Sequence, residues 1–114
     1  MYVFKNPPDY FDWISPLPSD VTVVNKLKGE VDFIHSFCID SKVFKKEFVT
    51  YKKHLKKNGT LWISWPKKSS NVPTDLDENV IRDFGLGQGL VDVKVCAVDD
   101  VWSGLKFVFR VKDR

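Results

Sequence analysis

The sequence predicts a single α/β domain over residues 1–114, built on a mixed sheet, mostly parallel, with a C-terminal antiparallel β-hairpin. Three observations carry this. Short β-prone runs alternate with amphipathic segments at helical spacing, which implies parallel strands joined by right-handed crossovers. A mostly apolar run, Thr60-Leu61-Trp62-Ile63-Ser64-Trp65, suits a central strand covered on both faces. Two alternating runs near the C-terminus flank a short turn and read as a hairpin.

Tyr2-Val3-Phe4 opens the chain as a short strand, stopped by Asn6-Pro7-Pro8 because proline cannot donate to a sheet ladder. Asp9 is placed to cap a short helix through Ile14, bounded by Pro16 and Pro18. Val21-Thr22-Val23-Val24 reads as a second strand, Gly29 as a turn, and Val31 to Phe37 as a third strand. Ser41 is the expected cap of the clearest helix, whose stripe is Val43, Phe44, Phe48, Tyr51 and Leu55. Asn58-Gly59 supplies its expected left-handed stop. After the central strand, a loop from Pro66 to Pro73 leads to Thr74-x-x-Asp77, which has the form of a capping box. The helix behind it turns Leu76, Val80, Ile81 and Phe84 inward and is expected to stop at Gly85. Val91, Val93, Val95 and Ala97 then alternate with Asp92, Lys94, Cys96 and Val98, and Leu105, Phe107, Phe109 and Val111 alternate back.

Composition narrows the class. A chain of 114 residues supports one core, and its 14% aromatic content means that large rings fill much of it. No run approaches the ~20 apolar residues of a membrane span, so no membrane partner is expected. Two cysteines are too few for a disulfide framework, and Cys38 and Cys96 read as reduced thiols of a cytoplasmic protein. The net charge of +3 conceals a dipole. Lys42 to Lys68 carries nine lysines against Glu47, whereas residues 69 to 100 carry seven acids against Arg82 and Lys94.

The C-terminal half carries a resemblance. Leu61-Trp62-Ile63-Ser64-Trp65-Pro66-Lys67-Lys68, Val72-Pro73-Thr74-Asp75-Leu76, Gly89 to Asp99 and Trp102-Ser103-Gly104-Leu105-Lys106 resemble a small uncharacterised bacterial domain family. The strand–helix series ending in a hairpin resembles the later half of the class I S-adenosylmethionine-dependent methyltransferase fold. The resemblance implies a Rossmann-like, methyltransferase-like sheet. That class of enzyme uses a glycine-rich turn after its first strand and an acid at the end of its second. Here the first turn is Asn6-Pro7-Pro8-Asp9 and the second strand ends at Asn25-Lys26. Catalysis and a bound cofactor are therefore not expected.

Of the motifs, Gly85-Leu86-Gly87-Gln88-Gly89 follows a helix and precedes a strand, the reverse of a phosphate loop, and reads as helix termination. Asn6-Pro7-Pro8-Asp9-Tyr10 resembles the Asn-Pro-Pro-Tyr motif of amino-group methyltransferases, but Asp9 interrupts it and a strand stop is the better reading. His35 and His54 lack acid or thiol companions at metal spacing, and His35 and Ser36 should face opposite sides of a strand. The lysine-rich helix lacks interleaved aromatics and arginines, so nucleic-acid binding through it is disfavoured.

The loop leaving the central strand is the expected site: Trp65, Lys67, Lys68, Ser69, Ser70 and Thr74, with Trp102 from the hairpin. Strand carboxyl ends are where open α/β sheets place ligands, and two ammonium groups beside hydroxyls suit an anion. Trp62 and Trp65, three apart, should lie on opposite faces. The functional expectation is a non-catalytic binding or interaction module for an anionic small molecule or a protein partner. The alternatives are a divergent S-adenosylmethionine-dependent methyltransferase and a weak nucleic-acid binder acting through the lysine-rich helix. The exposed edge of the hairpin leaves pairing with a second copy open.

Overall fold

The computed structural model describes residues 1–5, 10, 23–24, 26–27 and 29–113. Its strands are β1 (Tyr2–Phe4), β2 (Val31–Phe37), β3 (Leu55–Pro66), β4 (Leu90–Ala97) and β5 (Trp102–Phe109). Its helices are α1 (Ser41–His54) and α2 (Glu78–Gly87). The sheet order is β1-β2-β3-β5-β4. β1, β2 and β3 pair in parallel, and β5 inserts antiparallel between β3 and β4. The mixed sheet with a terminal hairpin is thus present, and β3 is its central strand. Of the expected strand over 21–24, residues 21 and 22 lie outside the described residues, and Val24 makes an isolated parallel bridge to Tyr2. The expected helix from Asp9 to Ile14 lies outside the described residues, apart from Tyr10.

One face of the sheet carries both helices. Ile34, Leu61, Ile63, Leu105 and Phe107 point to it and meet Phe44, Phe48 and Tyr51 of α1 and Ile81 of α2. The Phe48 ring stands edge-on to Phe107 at 5.4 Å and to Phe84 at 5.5 Å. Burying each such side chain contributes roughly 1.5–3 kcal/mol. Gly85 is buried inside α2 because a Cβ there would lie 2.2 Å from the Phe107 ring. α2 therefore runs past the expected stop to Gly87, and the chain reverses at Gly89, whose φ of +92° an L side chain rarely adopts.

Several local expectations are corrected by tertiary contacts. The cap of α1 is Asp40, whose Oδ1 accepts the N–H groups of Lys42 at 2.8 Å and Val43 at 3.1 Å. Ser41 instead donates its N–H and Oγ–H to the carboxylate of Asp75, which these bonds hold below its ordinary pKa. Val43 is exposed, outside the core stripe. α1 ends at His54, a turn before Asn58-Gly59, because the chain already pairs Leu55 with Val31 in the sheet. Gly59 serves close approach, as a Cβ would come within 2.9 Å of the Asp32 carbonyl. α2 begins at Glu78 and is capped by Asp77 Oδ1, which accepts from Val80 N–H, so Thr74 does not form a capping box. In β4 a bulge between Asp92 and Lys94 changes the alternation, leaving Val93 and Val95 exposed. Val111 is exposed in a 3-10 turn beyond β5.

Candidate functional site

Strand order places the first cleft. From β1 the chain bridges at Val24 on one edge and then crosses to β2 on the other. Such a reversal opens a crevice outside the strands' carboxyl ends, where open α/β sheets bind ligands. A cleft of about 260 Å³ lies there, lined by Phe4, Lys5, Phe37, Cys38, Asp40 and Trp102, with Ile39 and Val43. The Trp102 ring stands edge-on to Phe37 at 5.1 Å. Lys5 follows β1 with φ +54°, in the left-handed region that costs a side-chain-bearing residue about 1–2 kcal/mol. Its ammonium lies 5.5 Å from the Phe4 ring centre. Cys38 Sγ is 3.3 Å from Ser36 Oγ, and burial pushes its thiol pKa up, which keeps it protonated.

A second cleft of about 420 Å³ lies at the end of β3, lined by Trp65, Pro66, Lys67, Lys68, Ser103 and the start of α2. The structure brings Trp65, Lys67 and Lys68 together here, with Trp65 buried in the core face and Trp62 on the other side of the sheet. Asp77 and Glu78 share this cleft, so its charge is mixed. Lys67 Nζ donates to the Asp99 carbonyl at 2.5 Å. Ser70 Oγ donates to the Lys67 carbonyl at 2.6 Å, and Thr74 Oγ1 donates to the Ile39 carbonyl at 2.7 Å. Ser69, Ser70 and Thr74 line neither cleft, and Trp102 belongs to the first. The first cleft escaped the sequence reading because its walls come from β1, β2 and the hairpin. The available signal was the ends of the first and third predicted strands.

A buried polar chain crosses the face opposite the helices. His35 Nε2 lies 2.7 Å from Ser64 Oγ, and Nδ1 lies 3.0 Å from the Tyr10 hydroxyl. Burial lowers the His35 pKa from 6.5 to about 4, so the ring is neutral at pH 7. Burial likewise raises Tyr10 to about 12. Ser36 faces the other way and bonds Tyr51, as strand alternation requires. Among the described residues, no three His, Cys, Asp or Glu side chains are grouped to hold a metal. No described helix is long and apolar enough to cross a membrane.

The comparisons bear on the fold. No protein-family profile matches the chain, and no curated protein matches it. Solved structures do. The magnesium protoporphyrin IX methyltransferase from Synechocystis PCC 6803 with bound SAM superposes with a TM-score of 0.63, at 12% identity over 90% of this chain and 52% of that one. A methyltransferase from Pyrococcus furiosus gives 0.57 at 18% identity, over 93% and 60% of the two chains. The fibrillarin pre-rRNA processing protein of Methanococcus jannaschii gives 0.57 at 13% identity, over 95% and 55%. The fold is therefore that of the S-adenosylmethionine-dependent methyltransferases, and the chain spans about half the length of the first-named enzyme. This overturns the expected non-catalytic binding module. The fold agrees better with the alternative reading, a divergent methyltransferase.

Proposed function

We propose that the chain is a divergent S-adenosylmethionine-dependent methyltransferase domain whose ligand is held in the cleft at the carboxyl ends of β1 and β2. The observation that carries this reading is the reversal of strand order at β1 directly beside that cleft. The residues present suit such a ligand. The half-buried Trp102 ring suits a sulfonium cation or an adenine ring, and the buried Phe37, stacked on His35, backs it. Lys5 takes the left-handed backbone conformation that glycine supplies in this class, and its ammonium adds a partner for a carboxylate. Bound S-adenosylmethionine supplies an electrophilic methyl group. This chain's own residues then orient the ligand and shield it from water, with Trp102 and Phe37 as the apolar wall. The motifs between residues 60 and 108 that resemble an uncharacterised bacterial family bring no activity with them. The free thiols of Cys38 and Cys96 accord with a reducing compartment and support a cytoplasmic location.

Calorimetry and thermal shift with S-adenosylmethionine and its demethylated product test this. Saturating ligand is expected to raise Tm, by linkage. Trp102→Ala is expected to weaken binding at least tenfold at a temperature well below the variant's own Tm. No heat and no shift at millimolar ligand would discard the reading.

A further inference from the structure

The face of the sheet opposite α1 and α2 carries a row that the cleft does not use. Trp62 of β3 pairs across to Lys106 of β5, and Lys106 pairs across to Lys94 of β4. Directly opposed residues in antiparallel strands share a face, so the indole and the two ammonium groups stand in line on one surface. Adjacent strands are ~4.8 Å apart, and the row therefore spans about 10 Å.

Two features make this row unusual. Like charges directly opposite one another on a sheet are destabilising. Neither Lys94 nor Lys106 forms an ion pair with a described residue, and Arg82 makes both of the salt bridges found among them. Within the described structure neither ammonium group has a carboxylate partner. Beside them, the half-buried Trp62 ring lies against Gly104, where a Cβ would come within 3.2 Å of the indole. The absence of a side chain at Gly104 lets the ring settle against the strand.

We infer that this face binds single-stranded nucleic acid, with a base stacked on Trp62 and backbone phosphates neutralised by Lys106 and Lys94. Charge complementarity selects an anionic occupant. The indole next to the ammonium groups selects a planar base over an acidic peptide, since stacking platforms interleaved with cations are how sequence-tolerant single-strand binders work. The lysine-rich α1 offers charge without that platform. The inference is independent of the methyltransferase reading, because the row shares no residue with the cleft.

Fluorescence anisotropy of a labelled twelve-nucleotide oligo(dT), across 50 to 300 mM salt, tests it with the full chain. Binding is expected, with an affinity that falls as salt rises. Lys94→Gln combined with Lys106→Gln should reduce affinity at least tenfold. It should also flatten the salt slope by about 1.4, from two phosphates at ~0.7 each. The same pair should leave Tm nearly unchanged, because neither lysine forms an ion pair with a described residue, so lost binding cannot be ascribed to unfolding. Trp62→Phe should weaken binding less than the double lysine variant. Three results would overturn the inference: no binding at 50 mM salt, an equal loss from Lys45→Gln with Lys46→Gln on α1, or equal competition by polyglutamate.

Discussion

On the helix-covered face of the sheet, Ile34, Leu61, Ile63, Leu105 and Phe107 interlock with the rings of α1 and α2. On the opposite face, His35 and Ser64 lie equally deep but are held by a chain of hydroxyl and imidazole contacts that reaches Tyr10. The strands are the same in both cases. Because alternate side chains project to opposite sides, β2 sends Ile34 and Ser36 one way and His35 and Phe37 the other. The apolar face gains stability with each methylene buried. The polar face gains little net from each hydrogen bond and loses much if one is left unmade. The two faces should therefore fail differently.

The largest effect belongs to the apolar face. Phe48→Ala removes a fully buried ring that touches Phe44, Phe84 and Phe107, and should cost about 3–5 kcal/mol in urea unfolding at pH 7.5. That loss should be nearly independent of pH, since the ring removed is uncharged and its contacts to Phe44, Phe84 and Phe107 are ring to ring. A loss below about 1 kcal/mol would mean that α1 is not seated on the sheet as described.

Acid attacks the polar face instead. His35 has a folded pKa of about 4 against an ordinary 6.5, with burial as the cause. The unfolded chain therefore binds the proton more readily. Stability from neutral His35 is complete above pH 6.5 and is lost as pH falls towards 4, amounting to roughly 3 kcal/mol. Carboxylates titrate over part of the same range, so the informative quantity is the difference between the wild-type chain and His35→Gln. Between pH 7.5 and 4.5 the wild-type chain should lose more stability than the variant. Parallel slopes would show that the ring is charged, or already exposed, in the folded state.

This division was only half legible in the sequence. β2 is read with its observed bounds, and Phe44, Phe48 and Tyr51 are read as core, because strong periodicity over a long segment survives tertiary context. The cap of α1 is misread by one residue because Asp40 and Ser41 both suit it locally, and Ser41 is claimed by Asp75, a distant partner. The end of α1 is misread for a similar reason. Asn58-Gly59 has the local chemistry of a helix stop, but pairing of Leu55 with Val31 draws the segment into β3. A single extra residue in β4 changes the exposure of Val93 and Val95, and no composition rule announces a bulge. The loop at Lys67 and Lys68 was visible as an uninterrupted polar run. The cleft at β1 was not, since Phe4, Phe37 and Trp102 become neighbours only when the strand order reverses. The Tyr10–His35–Ser64 chain was hidden likewise: alternation separates His35 from Ser36 but does not reveal which distant hydroxyls it meets.

The smallest effect sharpens the account of the helix-covered face. Asp92 sits at the β4 bulge, where its Oδ2 accepts from Arg82 Nε at 2.9 Å, while Arg82 Nη2 donates to Glu78 at 2.7 Å. The two carboxylates hold the guanidinium pKa above its ordinary value. Arg82 and Asp92 are each about a quarter exposed, so solvent and salt screen the attraction. If α2 is held by Ile81 and the close contact of Gly85 with Phe107, the ion pair adds little. Asp92→Asn should then cost about 0.5 kcal/mol at low salt, with Glu78 still engaging the guanidinium, and less in 1 M NaCl. A loss above 2 kcal/mol that survives high salt would mean that Asp92 fixes the bulge itself. The apolar rings alone would then no longer account for the seating of α2 on β4.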